Sequence, residues 1–241
     1  MKITANLMHF QQLNKDIRTS SDKEILIDKC IGQRYIGSGL SGKNITIYGT
    51  PGNALAAYLD GSRIEVFGNA QDATGDTMND GSVIIHGSSG DATGYAMRGG
   101  RIFVQNNAGY RAGIHMKAYN EKIPKLVIGG CAGSFLGEYQ AGGVILVLGL
   151  DKPDDTPIVG NFCGTGIHGG KIYLRSNEIP NRLPAQVAVS EANDDDMIEI
   201  AALVDEYCTY FGKNSKEILS SKFLKLLPNT KNPYKRLYTN N

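Results

Sequence analysis

The chain has 241 residues, with 25 Lys and Arg against 24 Asp and Glu, a net charge of +1, 30 glycines, four cysteines and no tryptophan. That length fits one domain, or one domain with an appendage, and suffices to bury a core. The charge balance argues against a global nucleic-acid footprint and against an acidic disordered chain. No apolar run approaches the roughly 18 residues of a membrane span, and no cysteine pair has C-x-x-C spacing.

Met1 to Asn14 lack the apolar stretch of a signal peptide, and residues 1–24 form a separate segment before the repeat. They read as a lead-in that caps the adjoining end of the main domain. Few, scattered cysteines make a reducing, cytoplasmic home the expectation. Asn44-Ile-Thr46 fits the glycosylation triplet, but nothing else suggests secretion.

From residue 25 onward a repeat sets the pattern. An apolar pair with one residue between recurs as Ile45/Ile47, Ile64/Val66, Val83/Ile85, Ile102/Val104, Leu126/Ile128, Ile145/Val147 and Ile172/Leu174. Most steps are 19 residues, and two are 19 with insertions. Ile25/Ile27 is a candidate eighth member. Such alternation signals a strand with one buried face. Gly37, Gly75, Gly94, Gly113, Gly137 and Gly164 share a second phase, with Ala56 as its one substitute. Leu40, Leu59, Met78, Met97 and Met116 share a third, expected as an interior ladder. Gly42, Gly61, Gly99, Gly142 and Gly169 precede the strands.

Nineteen residues are too few for a strand plus a packed helix. They suit short strands joined by sharp corners, where glycine meets positive φ or close backbone approach. Stacked units close a core that one unit cannot. The expected fold is an all-β solenoid, a right-handed parallel β-helix of about seven coils over residues 25–184. An antiparallel barrel or sandwich is the alternative, but hairpins need no constant phase across seven units.

Gly37-Ser-Gly39-Leu-Ser-Gly42-Lys43-Asn44 contains G-x-G-x-x-G and nearly matches a Walker A loop. Both motifs need a helix next. Here Ile45-Thr-Ile47 is a strand, so the glycines belong to the repeat. His9, His86, His115 and His168 show no metal-ligand spacing, and His86 shares the outward phase of Phe67. Cys131 and Cys163 read as buried thiols. Asp72 and Asp91 recur in Asp-Ala-Thr-Gly. They are either paired acids of a groove enzyme or turn residues bonding nearby backbone, and the turn role is the commoner one. No catalytic, cofactor-binding or metal residue is assigned.

The insertions fall at Lys117–Ile123 and Asp151–Pro157. Loops added to a regular repeat lie outside its core and often carry contacts. Lys117, Tyr119, Lys122, Asp151, Lys152 and Asp154 are therefore the candidate partner contacts.

Residues 185–241 read as a C-terminal helical tail. Asn193 and the acids after it precede Met197, Ile200, Val204, Tyr207 and Phe211 at helical spacing, and Gly212 suits the stop. A second helix is expected from Ser215, capped by Asn214 and Glu217, with Phe223, Leu226 and Leu227 as its apolar face before Pro228. Glu191–Glu206 holds only acids and Lys213–Asn241 mostly bases. The simple reading is two solvated faces that attract each other; a docking tail for an acidic partner is the sharper one.

Gly68-Asn-Ala-Gln-Asp-Ala-Thr-Gly75 and Gly87-Ser-Ser-Gly-Asp-Ala-Thr-Gly94 resemble the GXGXG domain, the C-terminal β-helix of the glutamate synthase large subunit. Phe223-Leu-Lys-Leu-Leu-Pro228 and Pro233-Tyr-Lys-Arg236 are similar to that family's ending. A related β-helix forms one of the subunits of formylmethanofuran dehydrogenase, and it lacks such a tail.

The resemblance implies a non-catalytic, stand-alone scaffold subunit of a split glutamate synthase, forming glutamate from glutamine and 2-oxoglutarate. Its implied partners are a glutaminase and a synthase chain carrying FMN and an iron–sulfur cluster. Residue 2 is Lys where the family's glutaminase has its cysteine nucleophile. The cluster's cysteine spacing is also missing here. The alternatives are a scaffold in another redox complex and a β-helix enzyme acting alone on a polymer. A homo-oligomer also fits, while nucleic acid and membrane do not.

Overall fold

The computed structural model describes residues 1–229. Pro233–Arg236, which carry part of the resemblance, and the bases Lys231, Lys235 and Arg236 lie outside them.

The structure is mostly β, with one eleven-stranded sheet and three helices among the described residues. It opens with β1 (Lys2–Thr4) and α1 (Phe10–Thr19). The repeat supplies β2 (Glu24–Ile31), β3 (Asn44–Thr50), β4 (Asp60–Phe67), β5 (Asp80–Ile85) and β6 (Arg101–Val104). It continues with β7 (Lys125–Ile128), β8 (Ala141–Val147) and β9 (Gly169–Arg175). β10 (Val187–Glu191), α2 (Asp194–Phe211), α3 (Ser215–Leu219) and β11 (Phe223–Pro228) complete it.

β1 to β9 pair in chain order, every pair parallel. Like residues face like residues: Ile45 pairs with Ile64, Ile64 with Val83, Val83 with Ile102 and Ile102 with Leu126. Ile25 pairs with Ile45, so the candidate eighth member is part of the register. A second parallel row runs Ala70, Ser89, Ala108, Ala132 and Val159. The sheet ends at β1 and β10, which do not pair, so it is not closed into a barrel.

The inward residues form one core that runs from Ile3 to Leu226 and holds Leu13 and Ile17 of α1. Leu40, Leu59, Met78, Met97 and Met116 are all buried in it. A second cluster lies on the outer face of the later strands. There Phe103, Val127, Leu146 and Tyr173 meet Ile200, Leu203, Val204 and Tyr207 of α2. α2 starts with a capping box between Asn193 and Asp196 and stops at Gly212, φ 64°.

One expectation is corrected. The second helix ends at Leu219, and Phe223–Pro228 is a strand, antiparallel to β9 and β10. A short apolar run fits either period. Alternation decides it, because Leu224 and Leu226 enter the inner core while Phe223 faces α2. The strand also occupies the edge that β9 would otherwise leave open.

Candidate functional site

Gly37, Gly75, Gly94, Gly113, Gly137 and Gly164 all have φ between 63° and 77°. Positive φ alone does not explain glycine, because Ala56 has φ 59° in the same row. The deciding factor is space. A Cβ on Gly113 or Gly137 would stand 2.5 Å from Ile145 Cδ1 or 2.7 Å from Ile172 Cδ1.

Lys117, Tyr119 and Lys122 lie on the loop before β7. Tyr119 and Lys122 exchange backbone hydrogen bonds at 3.0 Å. Lys122 Nζ reaches back to Asp80 at 3.2 Å and Asp60 at 3.5 Å. The Gly81 N–H and then Lys122 hold the Asp80 carboxyl below the usual carboxylate range. Lys122 is thus a clamp for its own loop, while Lys117 and Tyr119 stay exposed.

Asp151, Lys152 and Asp154 lie on the loop after β8. Asp151 pairs with Lys213 at 3.2 Å, which ties this loop to the segment after α2. Lys152 Nζ donates to the Asp154 carbonyl at 3.3 Å. Both line an open cleft of about 590 Å³ with Arg175, Glu178 and Lys222. No residue of the first loop lines that cleft, so the structure does not unite the two insertions.

Asp72 and Asp91 do turn chemistry, but between repeats and not locally. Asp72 Oδ1 accepts the Asp91 N–H, and Asp91 Oδ1 accepts the Tyr110 N–H. Asn69 and Asn107 serve Ser88 and Cys131 in the same way. Lys43 of the Walker-like loop donates to the Ser20 and Asp22 carbonyls, and β3 comes directly after it. His168 Nδ1 lies 3.2 Å from the Gly166 carbonyl.

Cys131 is half-buried, which corrects the expectation of two buried thiols; the buried place beside it in the row is taken by the small Ala132. Cys163 is fully buried, and burial pushes its thiol up to about 12. Among the described residues, no group of three His, Cys, Asp or Glu is arranged to hold a metal ion.

Two features go beyond the outward phase that His86 and Phe67 share in the sequence. Outward side chains stack in rows: Tyr48, Phe67 and His86 have ring centroids 5.0 and 4.4 Å apart, and Phe211 meets His86 edge-on. His86 Nε2 also sits 2.9 Å from Glu65. The 19-residue spacing of Tyr48, Phe67 and His86 was the available signal. Second, a polar network fastens α2 to the sheet. The Tyr173 hydroxyl lies 2.8 Å from Asp196 and 3.0 Å from Glu199, with its one proton shared between the two carboxylates, and Lys171 pairs with Glu199 at 3.1 Å. Lys225 of β11 pairs with Asp196. Burial pushes the Asp196 carboxyl up, but Lys225, the Asn193 N–H and Tyr173 more than offset that and hold it low. No helix of the described residues is long and apolar enough to cross a membrane.

A model of the family described as the GXGXG motif matches residues 11–230. An uncharacterized protein of Methanocaldococcus jannaschii is 44% identical over 251 aligned positions, covering 98% of this chain and 95% of the relative. Among solved structures, a chain of the formyltransferase/hydrolase complex of Methylorubrum extorquens, determined with methylofuran, superimposes with a TM-score of 0.64. That match covers 95% of this chain and 96% of the other at 16% identity, a likeness of fold.

Proposed function

The chain belongs to the GXGXG motif family, and from that premise we propose that it is a structural subunit of a multi-chain enzyme complex. Its fold in this reading is a right-handed parallel β-helix over residues 25–184, led in by 1–24 and extended by 185–241. The complex is a split glutamate synthase of the cytoplasm. Its glutaminase and its FMN and iron–sulfur synthase chain are held together by this one.

One observation carries the scaffold reading. The side chains that suggested catalysis are spent on the repeat itself: Asp72 and Asp91 bond the backbone of the next repeat. Tyr48 and Phe67 meanwhile stand exposed in a row with His86, where a partner reaches them. In this reading the FMN and the iron–sulfur cluster belong to the partner chains.

The structural neighbour favours a second reading, a scaffold in a formyl-transferring complex. Purification of the tagged chain from its own cells, with mass spectrometry and an absorption spectrum, separates the two. Co-purifying glutaminase and flavin chains, with a yellow-brown colour, support the first. Formyltransferase or hydrolase chains support the second. A colourless eluate of this chain alone contradicts both.

A further inference from the structure

One outward row changes character halfway along. Its members are Tyr35, Ala54, Ala73, Ala92, Arg111, Phe135 and Phe162, all with φ between 53° and 62°. Backbone bonds fix the order. Tyr35 donates to the Asn53 carbonyl, Ala54 to Asp72, Ala73 to Asp91, Ala92 to Tyr110, Arg111 to Ser134 and Phe135 to Asn161. Each member therefore abuts the next repeat, roughly 4.8 Å on.

After the exposed Tyr35, the stretch Ala54, Ala73 and Ala92 is low, with Asp72 and Asp91 exposed beside Ala73 and Ala92. The second half is raised and aromatic, and it presents the Arg111 guanidinium. The Arg111 guanidinium lies over Tyr110 at 5.0 Å and Phe135 at 5.6 Å, braced by Glu138 at 2.9 Å. Phe135 packs on Phe162 at 5.1 Å, and Phe162 is 40% exposed. Tyr110, 38% exposed, packs edge-on against Phe135 at 5.3 Å. Aromatic and Arg side chains at an accessible patch are the usual anchors of a protein interface.

The two halves complement each other in size and charge. Two copies related by a two-fold axis between Ala92 and Arg111, and running antiparallel, bring the raised half onto the low stretch. Phe135 then meets Ala73, Phe162 meets Ala54, and Arg111 meets Ala92 beside Asp91. The match occurs twice, as an isologous contact requires. Seven members span roughly 29 Å, room for the ~800 Å² per partner of a standard interface.

We propose that this face is a two-fold interface between two copies of the chain.

Sedimentation equilibrium of the full chain tests this. The wild type is expected at twice its 26.0 kDa. Ala73→Arg places an arginine in a row that already holds Arg111 at nearly the same φ, so the backbone accommodates it. It should raise the dimer dissociation constant by about 30-fold or more, with circular dichroism unchanged. Phe162→Ala and Arg111→Glu should act in the same direction and decide the matter if Ala73→Arg does not fold. A wild-type chain that is monomeric at about 100 μM, or a dimer that all three variants move by less than about threefold, overturns the proposal.

Discussion

Gly113 and Ile145 lie on different repeats, and the Cδ1 of Ile145 occupies the place where a Cβ on Gly113 would point, 2.5 Å away. The same relation links Gly37 to Ile64, Gly75 to Ile102 and Gly137 to Ile172. The register carries it to Ala56 and Val83, 27 residues apart like Gly37 and Ile64. Among these five pairs Ala56 alone has a Cβ and Val83 alone lacks a δ-methyl, while Gly94 and Gly164 face Met97 and Val187 instead. Small-to-large exchange is thus compensated across repeats.

Gly113→Ala should therefore destabilise the chain by about 1–3 kcal/mol through overpacking. Adding Ile145→Val should recover part of that loss, with a coupling of at least ~0.5 kcal/mol in denaturant unfolding. Strict additivity of the two changes would show that the methyl is not the obstacle.

Asp196 is nearly buried and paired with Lys225. Its folded pKa lies below the unfolded value of about 3.9, so its contribution is complete above that value and is lost as pH falls through the lower folded one. Asp196→Asn should cost about 3 kcal/mol at pH 7, because Lys225 is left with a buried charge. The deficit relative to wild type should shrink below about pH 4. Melting curves across pH 3–7 measure this, and a deficit constant over that range would refute it.

Lys122 clamps its loop through exposed pairs with Asp80 and Asp60. Lys122→Ala should leave the global unfolding midpoint essentially unchanged, because exposed pairs are screened by solvent. Limited proteolysis should nevertheless cut faster within 117–123, since local opening needs no global unfolding. An unchanged cleavage rate would mean that the clamp does not hold the loop.

Thiol reactivity should follow burial. Burial pushes Cys30 up to about 11 and Cys163 up to about 12, while Cys131 is half-buried. In native protein near pH 8, a disulfide reagent should label Cys131 well before Cys30 or Cys163, because the thiolate is the nucleophile. Peptide mapping reads the order, and early labelling of Cys163 would contradict the packing.

The parallel register was legible because identical spacing imposes identical partners: Ile45, Ile64, Val83 and Ile102 name their own neighbours. α2 was legible from Asn193, its apolar spacing and Gly212. Phe223–Pro228 was not, since six apolar-rich residues satisfy both periods until the β9 edge selects one. α1 buries only Leu13 and Ile17, too sparse a signal among polar residues. At the candidate site, Lys122 was legible as a loop residue, but its acids are far away in sequence. The Tyr173–Asp196–Lys225 network joins three elements that nothing in their spacing connects.

The most direct measurement is an omission assay on the split glutamate synthase proposed for this chain. Glutamate formation from glutamine and 2-oxoglutarate is followed with the full assembly, with this chain removed, and after its return. The scaffold account predicts intact glutaminase and flavin chemistry in the separated partners, loss of the coupled reaction without this chain, and restoration when it is added back. Full coupled activity in its absence, or turnover by this chain alone, would contradict the account.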